Sequence, residues 1–239
     1  FSKQYYTYDS PTISDHEFDE LYRELELIEN KNPNFVSTDS PTQVIGSKVQ
    51  GGFKKVRHTK PMMSLNNAAN LDEFKSFYEK IITDTSKKVI MYAEPKFDGL
   101  AIALTYEKGN LISAVTRGDG NEGEDVTSNI KTIHNLPLSL SIDKAPKRLI
   151  IAAEVYSLIA DFHRINDILK KMDMKTFANP RNFAAGTVRQ LDPIIAFKRN
   201  LQMYIHGVIE IDSNLSLPTH SESMSYLNKI GFETCKLNK

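Results

Sequence analysis

The sequence predicts an α+β protein, with a small helical unit over residues 1–52 and a larger mixed domain over residues 53–239. Two changes of texture carry this. Near the start, Ser14 and Glu17 form a capping-box pattern ahead of Phe18, Leu21, Tyr22, Leu25 and Ile28 at helical spacing. From Val89 onward that period gives way to short segments rich in β-branched and aromatic residues. The polar stretch from Ser37 to Gly52, with Ser40-Pro41 and Gly51-Gly52, reads as the connection between the two units.

Taken in order, the first helix should end at Asn30 to Pro33. A second N-terminus is expected at Asn70, with Glu73 three residues on and Leu71, Phe74, Phe77, Tyr78 and Ile81 forming an apolar stripe to about Ile82. Strands are expected over Val89–Ala93, Leu100–Tyr106, Leu111–Thr116, Leu149–Val155 and Met203–Ile211, and helices over Ile159–Met172 and Ser221–Ile230. Mixed segments of this kind point to an α+β domain.

Thirty basic and thirty acidic residues leave a formal charge of zero, so no excess positive field favours polyphosphates, and any nucleic-acid role must rest on particular sites. The longest apolar runs, Leu100 to Leu104 and Leu149 to Ala153, are far below the roughly 20 residues of a spanning helix. Phe1 to Asp9 lacks a secretory-signal pattern, and the lone Cys235 fits a reducing compartment. The expected location is the cytoplasm.

The chemistry-bearing segment is Glu94-Pro95-Lys96-Phe97-Asp98-Gly99. In an extended backbone Glu94, Lys96 and Asp98 share one face, Phe97 points to the other as an anchor, and Gly99 admits close approach of a ligand or strand. Taken alone, the string is more simply a surface lysine with two solvated acids. Its context is Thr116-Arg117-Gly118-Asp119-Gly120 and a Glu154 closing a later strand. A nucleophilic lysine must first lose its proton, and Glu94 and Asp98 oppose this by favouring the ammonium. Burial, a magnesium ion or a nearby arginine must offset them, and Arg117 is the candidate.

Glu94 to Gly99, Thr116 to Thr127 (TRGDGNEGEDVT) and Phe177-Ala178-Asn179-Pro180-Arg181-Asn182 together resemble the adenylation domain of bacterial NAD-dependent DNA ligases, and the similarity runs in one order through the whole chain. The resemblance implies a nucleotidyltransferase domain with largely antiparallel sheets. It implies that Lys96 attacks the α-phosphorus of NAD, releases nicotinamide mononucleotide (NMN) and holds AMP, which the full-length enzyme passes to the 5′-phosphate of nicked DNA. Site residues follow one by one: Glu94 as adenine contact, Asp98 and Gly99 within the lysine motif, Arg117 at ribose or phosphate, Glu154 at ribose, and Ser64 and Leu65 lining the adenosine site. Arg181 and Arg189 match basic positions near the nick or the AMP phosphate, and an internal salt bridge, for instance to Asp192, is the alternative for Arg189. Two departures change the site's charge: Ala152-Ala153 stand where the family usually has Arg-Gly, and Asn66 where an aspartate is usual.

The upstream segment Tyr5-Tyr6, Asp9-Ser10-Pro11 and Ile13 to Asp19 resembles the small NMN-binding domain of the same enzymes, with Tyr5, Tyr6, Asp15, His16, Glu17, Phe18 and Asp19 as its site. Phe18 stands where tyrosine is usual. Asp15 and Asp19 lie four apart on one helix face, and a cationic nicotinamide suits aromatic faces beside carboxylates. The resemblance also implies Mg2+ as cofactor, zinc only in a further domain, a monomer, and a chain incomplete at both ends, able to bind nucleotide but not to complete ligation. An ATP- or GTP-dependent lysine nucleotidyltransferase and a silent nucleotide-binding scaffold remain open; the upstream module argues against the first and an intact Lys96 against the second.

Overall fold

A computed structural model describes residues 21, 24–25, 27–37, 40, 42, 52–63, 68, 70–86, 89–140, 142, 145–212 and 215–234. The expected helix start at Ser14, the site residues Tyr5, Tyr6, Asp15, His16, Glu17, Phe18, Asp19, Ser64 and Leu65, and Asn66 and Cys235 lie outside the described residues. Residues 27–31 are helical and lead into a 3-10 turn at Pro33–Phe35, where the first helix was expected to end.

Four strands form an antiparallel sheet in the order β3-β2-β5-β6: β2 (Leu100–Glu107), β3 (Asn110–Thr116), β5 (Arg148–Tyr156) and β6 (Gln202–Asp212). Each is within one residue of the expected bounds. A two-stranded ribbon of β1 (Lys55–Arg57) and β4 (Glu122–Glu124) joins them; both strands are too short to show a period in the sequence.

The expected strand Val89–Ala93 does not form. Residues 89–98 run as an irregular strap into β2. Tyr92 and Phe97 make single ring contacts while Ile90 and Met91 stay exposed, so no ladder forms and β-propensity there is overridden by tertiary context.

Helix α1 (Leu71–Thr85) starts where expected, with the Asn70 side chain accepting from the Asp72 and Glu73 amides at 3.1 and 2.9 Å. It runs past Ile82 to a left-handed Ser86, and its stripe is not buried among the described residues: Leu71, Phe74 and Phe77 are exposed. A short α2 (Thr127–Ile130) follows β4, and α3 (Ile159–Lys171) and α6 (His220–Lys229) match expectation closely. Two helices between them were not anticipated: α4 (Pro180–Val188) is capped by Asn179, and α5 (Pro193–Lys198) by Asp192. Each has a capping Asn or Asp followed by proline at the first helical position, where its missing N–H costs nothing.

The sheet is sharply two-faced. Ile102, Leu104, Tyr106, Leu149, Ile151, Ala153, Val155, Met203 and Ile205 point into the main core, joined by Phe183 and Val188 of α4 and Met224 and Leu227 of α6. Across the ladder, directly paired residues share a face. The other face therefore carries Ala101, Ala103 and Thr105 of β2, Ile150, Ala152 and Glu154 of β5, and Tyr204 and Gly207 of β6. Small side chains dominate its middle.

Candidate functional site

The strap lies against the Glu154 end of this open face. Phe97 stacks on Tyr204 at 4.2 Å between ring centroids and meets Tyr156 at 4.6 Å, so it is the anchor expected of it. Its neighbours Lys96 and Asp98 stay exposed. Gly99 sits where any side chain would collide: a Cβ there would lie 1.9 Å from the Val155 carbonyl oxygen. The freed space lets the Gly99 amide donate to Glu154 Oε1 at 3.1 Å, tying the lysine segment to β5.

Glu154 pairs in register with Ala101 on one side and Tyr204 on the other. Burial pushes its carboxyl above the usual range, against the Gly99 hydrogen bond and the charges of Lys96, Arg181 and Arg117, which pull it down. Lys96, Arg117, Glu154 and Arg181 therefore lie within one electrostatic neighbourhood although the chain separates them by up to 85 positions (181 minus 96).

The two carboxylates flanking Lys96 are each held by another group. Arg181 Nη1 donates to Asp98 Oδ1 at 2.9 Å, from the first turn of α4. His220 Nε2 stands 3.4 Å from Glu94 Oε2, from the first residue of α6, and its ring meets Tyr92 edge-on at 4.7 Å. Sequence reasoning named Arg117 as the counterweight to these acids; the structure adds Arg181 and His220. Arg117 belongs to a turn with Gly118 at φ 57°, and its carbonyl, with that of Thr116, lies within hydrogen-bond reach of His58 Nε2 at 3.2 and 3.0 Å. A left-handed conformation there favours glycine.

Arg189 makes the internal salt bridge considered from sequence, but with Glu124 at 2.6 Å as its partner, while Asp192 caps α5. The Asn129 side chain fixes the neighbouring backbone by donating to the Val188 and Gln190 carbonyls at 2.7 Å.

Sequence reading missed His206, Tyr204 and His220. In the β5–β6 ladder Ala153 pairs with Ile205 and Ala152 with Gly207, which leaves His206 as an inserted residue at a register shift. Such bulges re-aim side chains beside sites. Burial lowers the His206 pKa, with Lys96 and His220 adding to this and Glu94 opposing it. The only prior signal was a histidine and a glycine inside an otherwise apolar strand.

Among the described residues no three His, Cys, Asp or Glu side chains gather in a way that could hold a metal ion. The Mg2+ implied by resemblance thus has no protein-built cage in that part of the chain. No described helix is long and apolar enough to cross a membrane.

An open, small-floored sheet face with a lysine strap at one end defines a class of α+β ligand-binding domain, and comparison with known proteins says which. A family model described as the DNA ligase-like, N-terminal NAD+-binding domain matches residues 1–46. The chain belongs to the NAD-dependent DNA ligase adenylation domain family, whose model matches residues 50–239. It is 43% identical over 236 residues to a DNA ligase of Oceanobacillus iheyensis, covering 99% of this chain and 35% of that protein. It is 41% identical over 234 residues to a DNA ligase of Bacillus subtilis, covering 98% and 34%. The chain thus spans about a third of the length of the curated relatives it matches.

Proposed function

We propose that the Glu154 end of the open face binds the adenosine half of NAD and that Lys96 takes up AMP there. The supporting observation is the strap: Phe97 and Gly99 fix the backbone on either side of Lys96, while Arg181 and His220 engage the two carboxylates that would otherwise hold its amine as an ammonium. The Nζ lone pair forms a bond to the α-phosphorus, the bond to the NMN phosphate oxygen breaks, and the amine proton leaves to solvent. Arg117 and Arg181 supply positive charge where phosphate charge develops, the kind of preorganised stabilisation that dominates such transfers. Glu94 contacts adenine, with Ser64 and Leu65 lining the same pocket, and Glu154 faces the ribose.

In this reading residues 1–52 form the NMN-binding unit, with Tyr5, Tyr6, Asp15, His16, Glu17, Phe18 and Asp19 as its site, and residues 53–239 form the adenylation domain. The full-length protein then passes AMP to the 5′-phosphate of nicked DNA in the bacterial cytoplasm, Arg181 and Arg189 meeting phosphates there. Arginine suits this task because its planar fork donates twice.

Intact-mass measurement after incubation with NAD, or separately with ATP, tests the proposal. We expect a mass gain matching AMP from NAD alone, abolished by Lys96→Ala. In the same protein Asp19→Ala should weaken NAD far more than AMP. A gain from ATP and none from NAD would replace the donor, and a gain surviving Lys96→Ala would remove Lys96 as nucleophile.

A further inference from the structure

The open face carries a hollow at the end opposite Glu154. It encloses about 130 Å³ beneath the segment that leaves β1, and its polar lining is Arg57, His58, Thr59, Lys60, Thr105, Ser113 and Arg148. Three cationic side chains, three hydroxyls and the His58 imidazole line it, and among the described residues no carboxylate does. Thr105 lies four residues along β2 from Ala101, a separation of about 13 Å at the usual strand rise. Met62 packs on Ala103 and Ile150 between the two ends.

Arg148 is the informative residue. Its Nε is buried and has no hydrogen-bond partner among the described residues. Glu107 and Asp212 stand beside it in the ladder, yet neither pairs with it among the described residues. Glu122, opposite Arg57, is engaged by Lys55 at 3.4 Å. Lys60 gives one proton to the Ile209 carbonyl at 3.3 Å, and an ammonium has three. A buried charged donor without a partner is costly, and native folds keep few of them without a reason. In a chain of zero net charge, such a local excess of cations is not a by-product of composition.

We infer that this hollow is a phosphate-class anion site, distinct from the Lys96 pocket. The guanidinium fork of Arg148, the Arg57 and Lys60 charges and the hydroxyls of Thr59, Thr105 and Ser113 supply the donors that a tetrahedral oxyanion requires. The same chemistry is offered by free phosphate and by the phosphodiesters of a DNA backbone. Neither source depends on Lys96.

The test titrates inorganic phosphate into the 239-residue chain by 31P NMR, with ionic strength held constant by chloride. We expect saturable binding that Arg148→Met weakens at least tenfold and Arg148→Lys partly restores, while AMP binding, followed at the adenine, stays within twofold. Thr105→Val and Lys60→Met should each weaken phosphate binding several-fold, and they carry the test should Arg148→Met fail to fold. Displacement of phosphate by a short duplex lacking terminal phosphates assigns the site to backbone diesters; phosphate binding untouched by the duplex assigns it to a small free anion. Absence of saturable binding in the unaltered chain, or equal binding in the folded Arg148→Met and Lys60→Met variants, overturns the inference.

Discussion

The two faces of one sheet differ in almost every physical respect, though they share the same strands. The inward face is built of Ile102, Leu104, Tyr106, Leu149, Ile151 and Val155, each nearly or wholly buried. The outward face replaces these with Ala101, Ala103, Ala152 and Gly207, and sets Glu154, Tyr204 and Arg148 around them. Alternation along a strand makes this division possible, since each residue commits to one side. One side holds the fold together and the other leaves room for a ligand, so changes on the two should separate stability from binding.

The largest effect expected is on the inward face. Leu104→Ala should destabilise the domain by about 2–5 kcal/mol, because a wholly buried leucine leaves a cavity that the sheet cannot close. Lys96→Ala, on an exposed residue of the strap, should change stability by less than about 0.5 kcal/mol. Chemical denaturation of both variants checks the contrast; similar losses would mean that the strap is part of the core.

Gly99→Ala should come next, and on the other axis. Its Cβ would overlap the Val155 carbonyl, so the strap must lift and the Gly99 to Glu154 bond must break. Uptake of AMP should fall by more than tenfold with a smaller loss of stability, since misplaced reacting groups are costly. Unchanged AMP uptake would show that the strap adapts.

A smaller effect is expected at His220, which touches Glu94 but lies on α6. A carboxylate only accepts hydrogen bonds and so favours the amino edge of adenine over the oxo edge of hypoxanthine. His220→Ala should narrow the preference for AMP over IMP by several-fold, and His220→Gln should recover part of it. Equal losses of both nucleotides would make His220 a structural residue alone.

The least effect concerns pH. The folded Glu154 carboxyl is raised, chiefly by burial, above its unfolded value. Such a group adds stability that is fully present below the unfolded pKa and lost as pH rises through the folded one. Glu154→Gln keeps an acceptor for Gly99 without the charge, so its stability relative to the parent should increase from about pH 4 upward. Thermal melts across that range measure it, and a flat difference would mean that burial does not govern Glu154.

Much of this was legible from residues alone. Strands β2, β3, β5 and β6 announce themselves by β-branched runs, α1 by Asn70 and its cap, and the lysine segment by motifs that keep their meaning at any distance. Helices α4 and α5 were not read from the sequence, because nine and six residues give too few turns for a period to emerge. The strap over 89–98 misled, because its β-prone Ile90 and Met91 stay exposed and only Tyr92 and Phe97 find ring partners.

What the sequence by itself determined is the family and the positions of the four long strands along the chain. These are local properties, written in motifs and in side-chain period. Only the tertiary structure decided that Arg181 meets Asp98, that His220 meets Glu94, that His206 falls at a bulge, and that Arg148 Nε is buried without a partner among the described residues in a cationic hollow. Those outcomes depend on which ends of which elements come together when the ladder closes, and on which charges burial leaves facing one another. Neither is encoded at any single stretch of the chain.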